Sequence, residues 1–283
     1  MEIEQLEQKF AALGLDTSKL EFYNAPGFLN EERCHPELLW DYEEFVIKRK
    51  YPPEYEARAR QAIPKILDHL FNELVRDGRL GACLDVCLSA CKILERYGFW
   101  NIVQTGSFTS VLPDAPTRKI RYWPEFAPQG SKASVGHAWL IAPPFKLIDL
   151  TLTRHEQNED MRTMLPSYII ATEVGQVEGV SFEDMVDIDL KAQWTRQKLP
   201  IPSIHELMKH NEPVSRHLTR FHPFSVTHGT ATLKYFPVRP TLPEEKFEDQ
   251  KAHCWSGRQT SEMFRDLASE VGSPEEIGFI LEQ

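Results

Sequence analysis

Residues 79–87, Arg-Leu-Gly-Ala-Cys-Leu-Asp-Val-Cys, place a turn of small residues and a cysteine directly before an apolar run. The run continues to Tyr97 and stops at Gly98, a residue type that commonly ends helices. Its apolar side chains cover most of a helix circumference, and a helix of that kind is buried. The stretch therefore predicts a central helix from about Cys83 to Tyr97, with Cys83 at its N-terminus.

Two apolar runs farther along, 137–142 and 145–152, flank the pair Pro143-Pro144. Their lengths and the break between them predict two strands joined as a hairpin. His137 begins the first strand and Asp149 lies in the second, at positions nearly symmetric about the turn. We therefore expect the two side chains to lie opposite each other, where Cβ atoms are about 4.5–5.5 Å apart.

Cysteine, histidine and aspartate in this order are suited to thiol chemistry. Free backbone N–H groups and the dipole of a helix N-terminus stabilise an anion, which favours a thiolate at Cys83. Cys87 and Cys91 lie one and two turns inside the helix, beyond these effects. A thiol nucleophile needs a base and a group that orients the base. We predict that Cys83 is the nucleophile, His137 the base and Asp149 the orienting carboxylate.

Two other interpretations stay open at this point. A cysteine in an apolar helix is often only a small core residue, and the same fold can then serve as a non-catalytic protein-interaction module. Acyl transfer between small molecules is the third possibility, although the chain has no glycine-rich phosphate-binding loop.

The three segments resemble those of the transglutaminase-like superfamily of papain-like cysteine enzymes. Gly81-Ala82-Cys83-Leu84-Asp85 resembles the start of its cysteine helix, Gly136-His137-Ala138-Trp139 its His-Ala-Trp strand, and 147–151 its Asp-x-Thr strand. The resemblance spans about residues 78–155. Two departures are Cys87, where a small residue is usual, and a longer segment between cysteine and histidine.

The resemblance implies an α+β fold with a papain/transglutaminase-like core, in which a central cysteine helix packs on an antiparallel sheet. It also implies a catalytic triad of Cys83, His137 and Asp149. Members of the superfamily include peptidases, deamidases and transglutaminases, hydrolases or acyltransferases that act on peptide or protein amides through a cysteinyl thioester. No cofactor or metal is implied.

Changes in composition and the positions of proline and glycine divide the chain into three regions. We expect an N-terminal helical segment over 1–50 and the transglutaminase-like core over 51–180, with a helix from 53 to 75 that Pro64 kinks or breaks. Residues 181–283 are expected to extend that core or to form a small helical accessory domain. The aromatic residues Tyr122, Trp123, Phe126 and Trp139 are predicted to contact substrate.

The bulk composition limits the classes of partner. The formal net charge of −10 argues against nucleic acid, which requires an excess of Lys and Arg. No apolar run approaches the roughly 20 residues of a membrane span, and the acidic N-terminus differs from a secretory signal. Five cysteines, three of them within one helix, do not resemble a disulfide framework. These features predict a cytoplasmic protein. The peptide or protein substrate is implied by the resemblance, and the oligomeric state stays open.

Overall fold

The apolar run after Gly81 forms a helix, Cys83–Arg96, that packs on an antiparallel sheet. The structure, a computed structural model, describes residues 1–79, 81–112, 119–121, 136–155, 162–186, 188–250 and 258–277. Over these residues the chain is α+β, as the sequence predicts. Among them, no helix combines the length and the apolarity needed to cross a membrane.

Five helices precede the sheet. They are α1 (Ile3–Ala12), α2 (Pro26–Cys34), α3 (Leu38–Lys48), α4 (Pro53–Asp77) and α5 (Cys83–Arg96). Of the kink or break expected at Pro64, the break is wrong, because α4 continues through this residue to Asp77. Its apolar face, which includes Ile63, Ile66 and Leu70, is fully buried against α5 and the sheet. That burial outweighs the backbone hydrogen bond that proline removes.

The sheet is antiparallel throughout its described strands. These are β1 (Ile102–Val111), β2 (Lys119–Arg121), β3 (His137–Ala142), β4 (Phe145–Asp149), β5 (Ile169–Ala171), β6 (Gly175–Gln176), β7 (Phe224–His228) and β8 (Ala231–Thr241). Their order is β5-β4-β3-β1-β8-β7-β6, and β2 also pairs with β1. Only three residues, 172–174, join the two end strands, so the sheet must curl toward closure.

The described helices after the hairpin contain 4 to 12 residues. They are α6 (Leu152–His155), α7 (Phe182–Met185), α8 (Ile188–Arg196), α9 (Ile204–His210), α10 (Glu212–Arg220) and α11 (Thr260–Val271). Strands β7 and β8 lie among them in sequence, and β8 pairs along most of β1. The sheet thus continues beyond residue 180, the boundary expected from the sequence. Pro237 and Pro240 obscured β8, because proline is rare inside strands.

A glycine allows β1 and β8 to approach closely. The register between the strands shifts at Thr105/Gly106. A Cβ atom added to Gly106 would lie 2.0 Å from the backbone oxygen of Phe236. This position therefore requires a residue without a side chain.

The two faces of the sheet bury different side chains. Along β3, Ala138 and Leu140 pack toward α5, whereas Trp139 packs with aromatic and aliphatic residues of the other strands on the concave face. Successive side chains of a strand alternate between faces, so His137 shares the concave face with Trp139.

Candidate active site

Cys83 is the first residue of α5. Gly81, two residues earlier, has a φ of 72°, a left-handed conformation that favours glycine. This turn directs the chain into the helix. Cys83 is 9% exposed, whereas Cys87 and Cys91 on the same helix are 2% and 0% exposed. Of the three thiols in this helix, Cys83 is therefore the one that lies at the N-terminus and is also the most accessible to solvent.

His137 and Asp149 form a direct pair beneath the start of the helix. The Nε2 atom of His137 lies 2.6 Å from Oδ2 of Asp149, and the two residues are 2% and 0% exposed. The sequence predicts that the two residues lie roughly opposite each other, and they are two positions away from direct opposition. Leu140 pairs with Ile148, and that register places Asp149 beside Trp139, diagonally across from His137. Diagonal neighbours are still within reach of long side chains.

Three residues hold the carboxylate of Asp149 in place. Its Oδ1 accepts hydrogen bonds from the backbone N–H of Thr151 at 3.0 Å and from the Thr151 hydroxyl at 3.3 Å. Its Oδ2 accepts one from the hydroxyl of Tyr235 at 2.9 Å, in addition to the bond with His137. A carboxylate has about four acceptor positions, so Asp149 is saturated.

The electrostatics of the pair favour its charged form. Burial alone would lower the pKa of His137, but the charge of Asp149 and the hydrogen bond with it raise that pKa to about 9. Burial likewise opposes ionisation of Asp149, yet the charge of His137 and the hydrogen bonds from His137, Thr151 and Tyr235 hold its pKa below the ordinary value. Both shifts favour an imidazolium beside a carboxylate.

Cys83 belongs to the same cluster. A hydrogen bond with the Cys83 side chain and its charge both contribute to the raised pKa of His137. Burial raises the pKa of the thiols of Cys87 and Cys91 well above the ordinary value, so both stay protonated. The structure thus pairs His137 with Asp149, and Cys83 lies near enough to influence His137.

Of the four aromatic residues predicted to contact substrate, one, Trp139, lies among the described residues. Tyr122, Trp123 and Phe126 lie outside the described residues. The side chain of Trp139 is fully buried, so it supports His137 from the concave face and does not line an exposed groove. Its indole N–H donates to Oε1 of Gln104 at 2.7 Å.

Gln104 connects Trp139 to a second buried acid–histidine pair. The Gln104 amide donates to Glu43 of α3, whose other oxygen lies 2.8 Å from Nε2 of His217 in α10. Glu43 and His217 are both fully buried. This chain of hydrogen bonds ties the N-terminal helices and α10 to the strand that carries His137.

Sequence reasoning missed Tyr235 and assigned no role to Thr151. The Asp-x-Thr spacing was a signal for Thr151, because a side chain two residues after an aspartate can bond to it locally. Tyr235 offers no such signal, since it is separated from Asp149 by 86 positions. Within the part of the chain that the structure describes, no group of three His, Cys, Asp or Glu side chains is arranged to hold a metal ion.

Comparisons with known proteins add no assignment. No protein-family model matches the sequence, and no curated protein or solved structure is significantly similar to it.

Proposed function

We propose that the protein is a thiol-dependent acyl-transfer enzyme, a cysteine-dependent amide hydrolase or acyltransferase, acting on a peptide or protein amide through a cysteinyl thioester. Three observations support the proposal: Cys83 begins a helix, His137 and Asp149 form a buried pair, and Cys83 contributes to the raised pKa of His137. The segments around these residues resemble the transglutaminase-like superfamily, and a papain-like core is part of the proposal.

In the first half of the reaction, the Cys83 thiolate attacks the amide carbonyl. Backbone N–H groups at the start of α5 are suited to stabilise the resulting oxyanion. The His137 imidazolium gives its Nδ1 proton to the departing amine as the C–N bond breaks. The products are a thioester on Cys83, a free amine and a neutral imidazole.

In the second half, water or an acceptor amine attacks the thioester. Neutral His137 accepts a proton from the attacking group, the C–S bond breaks and the Cys83 thiolate is restored beside an imidazolium. Asp149 does not exchange protons, because the charge of His137 and its hydrogen bonds hold its pKa below the ordinary value. It orients the imidazole through the bond to Nε2. Water as acceptor gives hydrolysis or deamidation, and an amine gives transamidation.

One observation favours a non-catalytic alternative. Cys83 is only 9% exposed and His137 only 2%, a degree of enclosure that also fits a protein-interaction module on the same fold. A catalytic site must admit the carbonyl carbon to the sulfur. Turnover therefore separates the two functions.

The test uses a mixed tryptic peptide digest with a fluorescent primary amine, analysed by mass spectrometry. This assay detects new N-termini, glutamine deamidation and amine incorporation together. We expect Cys83→Ala and His137→Ala to reduce whichever activity is found by about 1,000-fold or more. Cys91→Ala is the matched control, because it makes the same change in the same helix away from His137, and it should retain activity.

Full turnover by the Cys83→Ala variant would refute the proposed mechanism. Absence of all three products from the wild-type protein would favour the interaction module.

A further inference from the structure

Tyr235 reaches the candidate site from a distant part of the sheet. It lies in β8, and the strand order separates β8 from β4, which carries Asp149, by β1 and β3. Three strand spacings amount to about 14 Å along a flat sheet. The 2.9 Å hydrogen bond from the Tyr235 hydroxyl to Oδ2 of Asp149 therefore crosses the concave interior of the curled sheet.

Aromatic contacts hold the Tyr235 ring on several sides. The ring stacks on Phe224 with centroids 5.2 Å apart and planes at 11°. It meets Trp139 edge to face at 5.1 Å and Phe108 at the same distance. Tyr235 is 0% exposed, and burial raises the pKa of its hydroxyl well above the ordinary value. The hydroxyl is therefore a permanent donor at a fixed position.

The orientation of Asp149 depends on this donor. Oδ1 accepts hydrogen bonds from the backbone N–H and the hydroxyl of Thr151, which lies at the end of the same strand. The bond from Tyr235 fixes Oδ2, the oxygen that also binds His137. Tyr235 thus acts on the imidazole through the shared oxygen without contacting a substrate.

We propose that Tyr235 is a positioning residue, which holds Asp149 and through it the His137 imidazole in line with Cys83. The proposal rests on the proposed acyl-transfer function for its effect on turnover. It gives the segment after residue 180 a role in the site, because β8 supplies a donor that the hairpin lacks.

The test is Tyr235→Phe, which removes one oxygen atom and keeps the ring. Losing the donor leaves Oδ2 more basic, so Asp149 holds the proton of His137 more tightly. We expect kcat to fall about 10- to 100-fold, the range seen when a group that orients a site residue is removed, with KM changing less than about twofold. The alkaline limb of the kcat/KM profile should move to higher pH.

Tyr42→Phe is the matched control. Tyr42 is also buried, and its hydroxyl donates to the backbone oxygen of Leu20 at 3.1 Å, in the N-terminal segment. This variant should show neither change. A merely structural role for Tyr235 predicts no shift of the pH profile, because phenylalanine fills the same space.

A second measurement does not require turnover. The titration of His137, followed by ¹⁵N NMR, should move to higher pH in Tyr235→Phe and to lower pH when 3-fluorotyrosine, a more acidic phenol and a stronger donor, is placed at position 235. Unchanged His137 titration in both proteins would overturn the positioning role, whether or not the acyl-transfer function holds. A shifted titration without any turnover would instead count against the enzyme proposal alone.

Discussion

The His137–Asp149 pair gives the sharpest mutational test of the site. Asp149→Asn keeps the size of the side chain and removes its charge. In the native protein the pKa of His137 rises from 6.5 to about 9 although burial opposes the rise, because the Asp149 charge outweighs burial. A difference of this size corresponds to about 3 kcal/mol in favour of the imidazolium.

In the variant, burial acts on His137 without the charge of Asp149, and only the smaller contributions of Cys83 oppose it. We expect the pKa of His137 to fall below its ordinary value of 6.5. At pH 7.5 the imidazolium should then drop from nearly all molecules to fewer than about one in ten. The proton needed by the leaving amine is lost with it, so turnover should fall steeply at the same pH.

The assay is ¹⁵N NMR of histidine-labelled protein over a range of pH. The chain contains ten histidines, and the His137 signals are assigned by their absence in His137→Gln. Asp184→Asn is the matched control, since Asp184 is also buried and its carboxylate accepts a hydrogen bond from Thr109. A His137 pKa that stays near 9 in Asp149→Asn would refute the reasoning, because some other group would then hold the proton.

Two further expectations concern stability and are read from urea unfolding. Gly106→Ala forces a Cβ atom to within 2.0 Å of a backbone oxygen, so it should lower the free energy of unfolding by about 3 kcal/mol or more. The control Gly78→Ala, with a φ of 69° and open space around it, should lower it by only about 1–2 kcal/mol. Equal losses would count against the close approach of β1 and β8. Burial raises the pKa of Glu95 from 4.5 to about 7, so the folded state binds the Glu95 proton more tightly than the unfolded state does. The stability that this protonation contributes is therefore lost as the pH rises from about 4.5 through 7. Glu95→Gln should remove about 3 kcal/mol of that pH dependence, and an unchanged slope between pH 5 and pH 8 would contradict the buried position of this carboxyl.

Local patterns in the sequence were sufficient for the elements that carry the site. The apolar run after Gly81 predicted α5, and the two runs around Pro143-Pro144 predicted β3 and β4. The position of Cys83 at the helix start follows from the same pattern. These elements are built from contacts between near neighbours in the chain, which hydrophobic periodicity records.

Features that depend on distant contacts were not predictable in this way. Strand β8 contains two prolines, and it belongs to the sheet because β1 pairs with it and Gly106 allows the approach. The register of the hairpin includes an irregularity between Leu140 and Ala142, which symmetry about the turn does not reveal. Tyr235 meets Asp149 only because the sheet curls, and no local spacing encodes that closure.

The most direct test of the site is the rate at which iodoacetamide alkylates each cysteine near pH 6.5, measured by mass spectrometry of brief reactions. Cys34 is exposed, whereas Cys83 is buried, so exposure alone would make Cys34 react first. A thiolate stabilised by the neighbouring imidazolium requires the opposite order, with Cys83 ahead of Cys34, Cys87 and Cys91, and with that lead lost in His137→Gln. Faster labelling of Cys34, or a Cys83 rate that does not depend on His137, would contradict the coupling of sulfur and imidazole.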